Sequence, residues 1–85
     1  MNARALVARN IRRIRVAREL SQEALAVDAE IDRTYVSRLE RNLENPTVAV
    51  LERLARALNC KVVDLFANSG AGKIATLKPG RKGRR

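Results

Sequence analysis

The chain has 85 residues, which allow one domain near the size at which a single apolar core is only marginally stable. It has one cysteine, Cys60, which excludes an internal disulfide. It has no histidine, so the usual metal ligands and nucleophile–histidine pairs are absent. We therefore expect no enzyme activity, metal or cofactor. No apolar run is long enough for a signal peptide or a membrane span, so we expect a reducing cytoplasmic location and no membrane partner.

The positive charge is concentrated at the C-terminal end. Of the net charge of +9, residues 1–67 contribute twelve basic and nine acidic residues, whereas residues 68–85 contribute six basic residues and no acidic one. The C-terminal segment is also rich in glycine and has too little apolar surface to form a core. We therefore predict one folded domain over residues 1–67 and a flexible, disordered basic tail over residues 68–85, which should attract polyanions.

Residues 3–42 predict three helices. The first spans residues 3–18, where Val7, Ile11 and Ile14 recur on one helical face. Two shorter helices follow, with Ser21 and Asp32 at their capping positions. Only three residues are left between them for a turn, which is typical of a helix-turn-helix, so the second helix of the pair should cross the first steeply and expose one face.

The exposed face of that second helix is basic and polar. At about 100° per residue, the outer arc of residues 33–41 consists of Arg33, Thr34, Ser37, Arg38 and Arg41. Arginine can bond O6 and N7 of guanine, so we interpret the arc as a surface for the major groove of DNA. The alternative is the solvated face of an ordinary helical domain. Tyr35 and Phe66 are the only aromatic residues, too few for single-strand stacking surfaces, which favours duplex DNA.

The rest of the chain predicts two further helices. Asn45-Pro46 ends the preceding helix, and Thr47 caps a helix that stops at Asn59. The apolar stripe of this helix consists of Val48, Leu51, Leu54, Ala55 and Leu58. Residues 62–66 predict a short fifth helix, and no segment alternates like a strand. The expected fold is therefore all-α and compact, with five helices.

The predicted fifth helix is more apolar than one neighbouring helix can cover. Its apolar residues are Val62, Val63, Leu65 and Phe66. Two or three of them can close the core, and the remainder can form a two-fold patch. We therefore expect a homodimer with its interface at these residues.

Residues 11–66 resemble the Cro/C1-type helix-turn-helix family, also called the XRE family. The resemblance rests on Arg15, Leu20-Ser21-Gln22-Glu23, Leu25-Ala26, Asp32-Arg33-Thr34-Tyr35-Val36-Ser37, Leu39-Glu40-Arg41, Asn45-Pro46-Thr47 and Leu54-Ala55-Arg56-Ala57-Leu58. It implies a lambda-repressor-like domain that binds a partly palindromic operator as a dimer and controls transcription, as a repressor or an activator. Residues 32–42 resemble in particular the recognition segment of small regulators, including the controller proteins of restriction-modification systems.

The resemblance also implies roles for single residues. The implied base readers are Arg33, Thr34, Ser37 and Arg38. Gln22 matches a residue that bonds a phosphate from a helix N-terminus, and Tyr35 and Asn42 match contacts to the DNA backbone. We add Arg41 to the backbone contacts because of its place on the outer arc.

Arg15 and Glu40 match an ion pair that ties the first helix to the recognition helix. Each follows a predicted core position by four residues and so borders an apolar stripe. Two residues stand where the family usually has glycine. A left-handed conformation at Glu30, in the turn, would cost about 1 kcal/mol, whereas Asn42, after the recognition helix, tolerates it.

A second function stays open from the sequence. The chain could be an antitoxin or another protein-interaction module whose DNA-binding face serves autoregulation and whose main partner is a protein. A neighbouring reading frame for a toxin or a restriction endonuclease would distinguish the two. We expect no small-molecule ligand, because the chain ends before a ligand-sensing domain could begin. Glu40 and Glu44 are interpreted as a bridge residue and a loop residue, not as paired catalytic carboxylates.

The basic tail leads to a testable prediction. A chain ending at Ser69 should keep its sequence preference, because base reading is assigned to residues 33–38, and should bind every duplex more weakly at low salt. Each phosphate neutralised adds about 0.9 to the slope of log affinity against log salt, so six contacts per chain would add roughly 5. Titrations of both chains at several salt concentrations measure this slope. Equal slopes would show that the tail does not touch DNA.

Overall fold

The structure, a computed structural model, describes residues 2–68. In chain order its elements are α1 (Ala3–Ala17), α2 (Gln22–Ala29), α3 (Arg33–Glu40), α4 (Val48–Ala57) and a 3₁₀ helix, Val62–Phe66. No strand occurs over this range, so the prediction of an all-α fold is confirmed for residues 2–68. The predicted fifth helix is a 3₁₀ helix, the form that short helical segments commonly take. The predicted tail, apart from Asn68, lies outside the described residues.

Three of the four α-helices begin with a side-chain cap. The side-chain oxygens of Asn2, Ser21 and Thr47 accept a hydrogen bond from the backbone N–H three residues later, at 2.8, 2.9 and 3.1 Å. The predicted cap by the Asp32 side chain is wrong. Asp32 has the extended backbone of a cap residue, but its side chain is exposed and makes no capping hydrogen bond. Its charge still lies at the positive end of the α3 dipole.

All four α-helices end in the same motif, and none uses glycine. The left-handed residues at these ends, with φ between 58° and 62°, are Glu19, Glu30, Asn42 and Asn59. In each case the next residue donates its N–H to the carbonyl five positions back, at 2.9 to 3.0 Å, which is the Schellman motif. Glu30 and Asn42 thus adopt the conformation for which the family uses glycine, and Asn59 ends α4 as predicted. The left-handed turn at Glu19 was not anticipated.

An arginine side chain donates to a backbone carbonyl at each of these four helix ends. The pairs are Arg15 with Leu20 (2.7 Å), Arg53 with Ala29 (3.1 Å) and with Glu30, Arg38 with Leu43 (3.2 Å), and Arg18 with Leu58 (2.7 Å). These bonds satisfy carbonyls that have no partner within the helix. They also place a positive charge at the negative end of each helix dipole, which contributes about 0.3 to 1 kcal/mol per site.

The core lies between the inner faces of the four α-helices and the 3₁₀ helix. Its buried apolar members are Val7, Ile11, Ile14, Leu25, Ala26, Ala29, Val36, Leu39, Leu51, Leu54, Ala55, Leu58 and Leu65. The predicted stripes of α1 and α4 are confirmed except for Val48, which is 68% exposed, because it is the first residue of α4 and precedes the first buried turn. Leu65 has no exposed surface, so it belongs to the core. The prediction that Leu65 contributes to a dimer interface is therefore wrong.

Asn10 fixes the 3₁₀ helix against α1. This residue is buried, and its Nδ2 donates to the carbonyls of Leu65 and Ala67, both at 2.9 Å. Its Oδ1 accepts a hydrogen bond of 2.7 Å from Arg13 Nη2. A buried amide whose two ends are both bonded stabilises this docking instead of opposing it.

A buried ion pair joins α1 to α3. Arg15 donates from Nε to Glu40 Oε2 at 2.6 Å and from Nη2 to Oε1 at 3.0 Å, and the two side chains are 12% and 3% exposed. The hydrogen bond to Glu40 raises the pKa of Arg15, against the opposing effect of burial. Gln22 Nε2 also donates to Glu40 Oε1, at 3.1 Å. The Glu40 carboxylate therefore holds α1, α2 and α3 together.

Removing one partner of this ion pair should destabilise the fold strongly. Arg15→Ala leaves the Glu40 carboxylate buried with the Gln22 amide alone, which should cost about 3 to 5 kcal/mol of the free energy of unfolding. Glu40→Ala should cost less, because Arg15 is more exposed than Glu40 and keeps its bond to Leu20. Urea unfolding of both variants and of the double variant measures the coupling, with Arg12→Ala on the exposed side of α1 as the control. Purely additive losses would rule out a direct interaction.

Candidate nucleic-acid interface

α3 exposes one side and buries the other. On the outer side Arg33, Thr34, Arg38 and Arg41 are exposed and Ser37 is half-buried. On the inner side Val36 and Leu39 have no exposed surface. The outer face therefore presents guanidinium and hydroxyl groups from a helix that is anchored in the core, and these groups can donate to the acceptors on base edges.

The three arginines of this face are held differently. Within residues 2–68, the Arg33 side chain makes no hydrogen bond, and Arg41 Nε donates to Ser37 O at 3.4 Å. Arg38 has an acidic partner, because its Nε donates to Glu44 Oε2 at 2.7 Å. The sequence did not indicate this partner, since a separation of six residues is not one of the helical spacings that bring side chains together.

Tyr35 and Asn42 lie at the edge of the outer face, and both are half-buried. Tyr35 packs against the core, and burial, followed by the negative charge of Glu44, raises the pKa of its phenol. Its hydroxyl is therefore protonated at neutral pH and can donate to a phosphate. The Oδ1 atom of Asn42 is buried and has no hydrogen-bond partner within the described part of the chain.

Gln22 is the first residue of α2 and is half-buried. Its side-chain amide is bonded to Glu40, so the predicted phosphate contact lies next to the buried ion pair. The first N–H groups of a helix have no partner within the helix, and Ser21 caps only one of those of α2. An anion at this helix end would meet free N–H groups and the positive end of the dipole.

The positive charge of the described domain is not concentrated on α3. Residues 1–18 carry six arginines and no acidic residue, whereas residues 19–67 carry six basic and nine acidic residues. Three of the six arginines, Arg9, Arg12 and Arg13, line an open groove of about 350 Å³ on α1. The α3 face is thus a local basic surface within an acidic segment, and its individual side chains decide what it attracts.

Other kinds of site find little support among residues 2–68. No group of three or more His, Cys, Asp or Glu side chains is placed to hold a metal ion. Burial raises the pKa of the Cys60 thiol to about 11, so Cys60 is protonated at neutral pH and a poor nucleophile. None of the helices over this range has the length and apolar character needed to cross a membrane.

Known proteins share the helix-turn-helix arrangement of this chain. A family profile described as helix-turn-helix matches residues 11–65. The chain is 39% identical over 70 residues to control protein C.SmaI of Serratia marcescens, a match that covers 82% of this chain and 83% of that protein. It is 35% identical over 66 residues to control protein C.BamHI of Bacillus amyloliquefaciens, covering 76% and 82% of the two chains.

Solved structures agree in fold. The hypothetical transcription factor NHTF from Neisseria superimposes with a TM-score of 0.75 and 39% identity, over 78% of this chain and 76% of that one. The restriction-modification controller protein C.AhdI from Aeromonas hydrophila gives a TM-score of 0.71 and 35% identity, over 73% and 94% of the chains. The chain therefore belongs to the XRE-type helix-turn-helix family of DNA-binding transcriptional regulators.

Proposed function

We propose that this regulator binds a partly palindromic operator as a homodimer, with α3 of each subunit in the major groove. The observation that carries the proposal is the outer face of α3, which is polar and exposed while the other side of the helix is fixed by the core and by the Arg15–Glu40 pair. A recognition helix must be held rigidly, because base reading depends on the position of a few side chains.

Within this proposal the residues that contact DNA form two groups. The base readers are Arg33, Thr34, Ser37 and Arg38. The backbone contacts are Gln22, Tyr35, Arg41 and Asn42. Two observations support the second group. Gln22 lies at the N-terminus of α2, and the protonated hydroxyl of Tyr35 can donate a hydrogen bond to a phosphate.

The dimer interface is proposed at the 3₁₀ helix, without Leu65. Val63 is 68% exposed and Phe66 is 40% exposed, whereas Val62 already packs partly against the core. An exposed valine and phenylalanine on one short helix form an apolar patch that a two-fold axis can cover. The two α3 helices would then enter successive major grooves, about 34 to 36 Å apart.

Regulation of transcription is favoured over the antitoxin alternative. Both control proteins and the Neisseria and Aeromonas proteins carry regulatory names, and none of these names mentions a toxin. We therefore infer a non-enzymatic regulator that acts in the cytoplasm, where its DNA lies.

Arg38 should read a base, whereas Gln22 should only position the protein. We expect Arg38→Ala to cost about 1 to 3 kcal/mol on a duplex selected from a random pool and much less on random duplexes. Gln22→Ala should weaken both alike, because phosphates carry no sequence information. Arg56→Ala, which removes an exposed charge from α4, is the control for net charge. An unchanged ratio of specific to random affinity in Arg38→Ala would remove Arg38 from the base readers.

The dimer can be tested by charge at the exposed patch. Val63→Glu should give a folded monomer, because it places two carboxylates against each other across the two-fold axis. Val27→Glu, at an equally exposed valine of α2 (69% against 68%), is the matched control and should stay dimeric. Sedimentation at tens of micromolar, on the order suited to such small interfaces, measures both. A monomeric unmodified chain under these conditions would contradict the proposed interface.

A further inference from the structure

Arg38, a base reader in the proposed function, is paired with an acidic side chain on the same face. Its Nε donates to Glu44 Oε2 at 2.7 Å, and its Nη2 donates to the carbonyl of Leu43 at 3.2 Å. The two side chains are 45% and 28% exposed. Nη1 and the second hydrogen of Nη2 have no such partner within residues 2–68, and this free edge can bond the two acceptors of a guanine.

The pair contributes little to the stability of the fold. Ion pairs that are this exposed contribute little, because water screens both charges. A carboxylate on a DNA-binding face also repels phosphates, so Glu44 opposes non-specific binding. An acidic residue that neither stabilises the fold strongly nor attracts DNA is best explained by its effect on the arginine that it holds.

Glu44 lies in the loop between α3 and α4. It stands two residues after the left-handed Asn42 and two residues before Pro46, whose ring restricts the backbone of this loop. Burial and, after it, the charge of Glu44 raise the pKa of Tyr35, a second residue of this face. Glu44 is therefore the acidic partner of the Arg38 guanidinium within residues 2–68.

We propose that Glu44 is a specificity-determining residue that positions Arg38 for guanine and withholds its charge from phosphates. This inference rests on the proposed function, since it assumes that Arg38 reads a base. A guanine meets the free edge of Arg38 without disturbing the bond to Glu44. A phosphate that binds Arg38 as a counterion must come close to the Glu44 carboxylate, and that approach is unfavourable on every sequence.

The test is Glu44→Gln, which removes the charge and keeps the size of the side chain. Affinity for random duplexes should rise about threefold per subunit, on the order of one unit-charge interaction in water. The slope of log affinity against log salt should steepen by about 0.9 per subunit. Affinity for the selected duplex should not rise as much, so the ratio of specific to random affinity falls.

Two controls make the outcome specific to Glu44 and Arg38. Glu52→Gln changes net charge equally at an exposed position of α4 and should leave the affinity ratio unchanged. In the Arg38→Ala background, Glu44→Gln should no longer lower the ratio, because the arginine it acts on is absent. The melting temperatures of Glu44→Gln and Glu52→Gln should stay close to that of the unmodified chain, which separates a change in binding from a loss of fold.

Failure of the proposed role of Arg38 and failure of the proposed role of Glu44 give different results. If no duplex is preferred, or if Arg38→Ala keeps the affinity ratio, the proposed function of Arg38 fails and the inference fails with it. If Arg38→Ala lowers the ratio but Glu44→Gln leaves it unchanged, only the role of Glu44 is overturned. An equal effect of Glu44→Gln with and without Arg38 would also overturn it, because the carboxylate would then act only by general repulsion.

Discussion

The buried ion pair between Arg15 and Glu40 is the contact on which the orientation of α3 depends. It is bidentate and nearly closed to solvent, and the same carboxylate binds Gln22 of α2. Burying two charges carries a desolvation penalty that apolar residues would avoid, but the fixed donor and acceptor directions allow only one arrangement of the three helices. A helix that presents side chains to base edges needs this kind of fixed direction more than it needs additional stability.

Arginine has two uses in this small domain. At all four α-helix ends a left-handed residue other than glycine is followed by the same hydrogen bond, and an arginine donates to a carbonyl there. Left-handed glutamates at Glu19 and Glu30 each carry a cost of about 1 to 2 kcal/mol, which the added bonds from Arg15 and Arg53 offset in part. Much of the arginine content therefore serves the fold, and a count of positive charges overstates the surface available to DNA.

The outer face of α3 contains a residue that bonds a helix end and is also exposed. Arg38 caps the end of α3 through the Leu43 carbonyl and also lies on the exposed arc. The segment around α3 is acidic overall, whereas residues 1–18 carry six arginines and no acidic residue. Affinity and specificity can thus be carried by different parts of the chain, since phosphates give affinity and base edges give specificity.

The sequence by itself determined the helices, the short turn, the core stripes and the exposed arc of α3, because periodicity, capping residues and connection lengths depend on neighbours a few positions away. Its resemblance to the family also indicated the Arg15–Glu40 pair. Only the tertiary structure decided that Leu65 lies inside the core, that Asn10 binds the 3₁₀ helix and that Glu44 holds Arg38. These facts depend on side chains brought together across elements or around a left-handed turn, which no periodic pattern encodes.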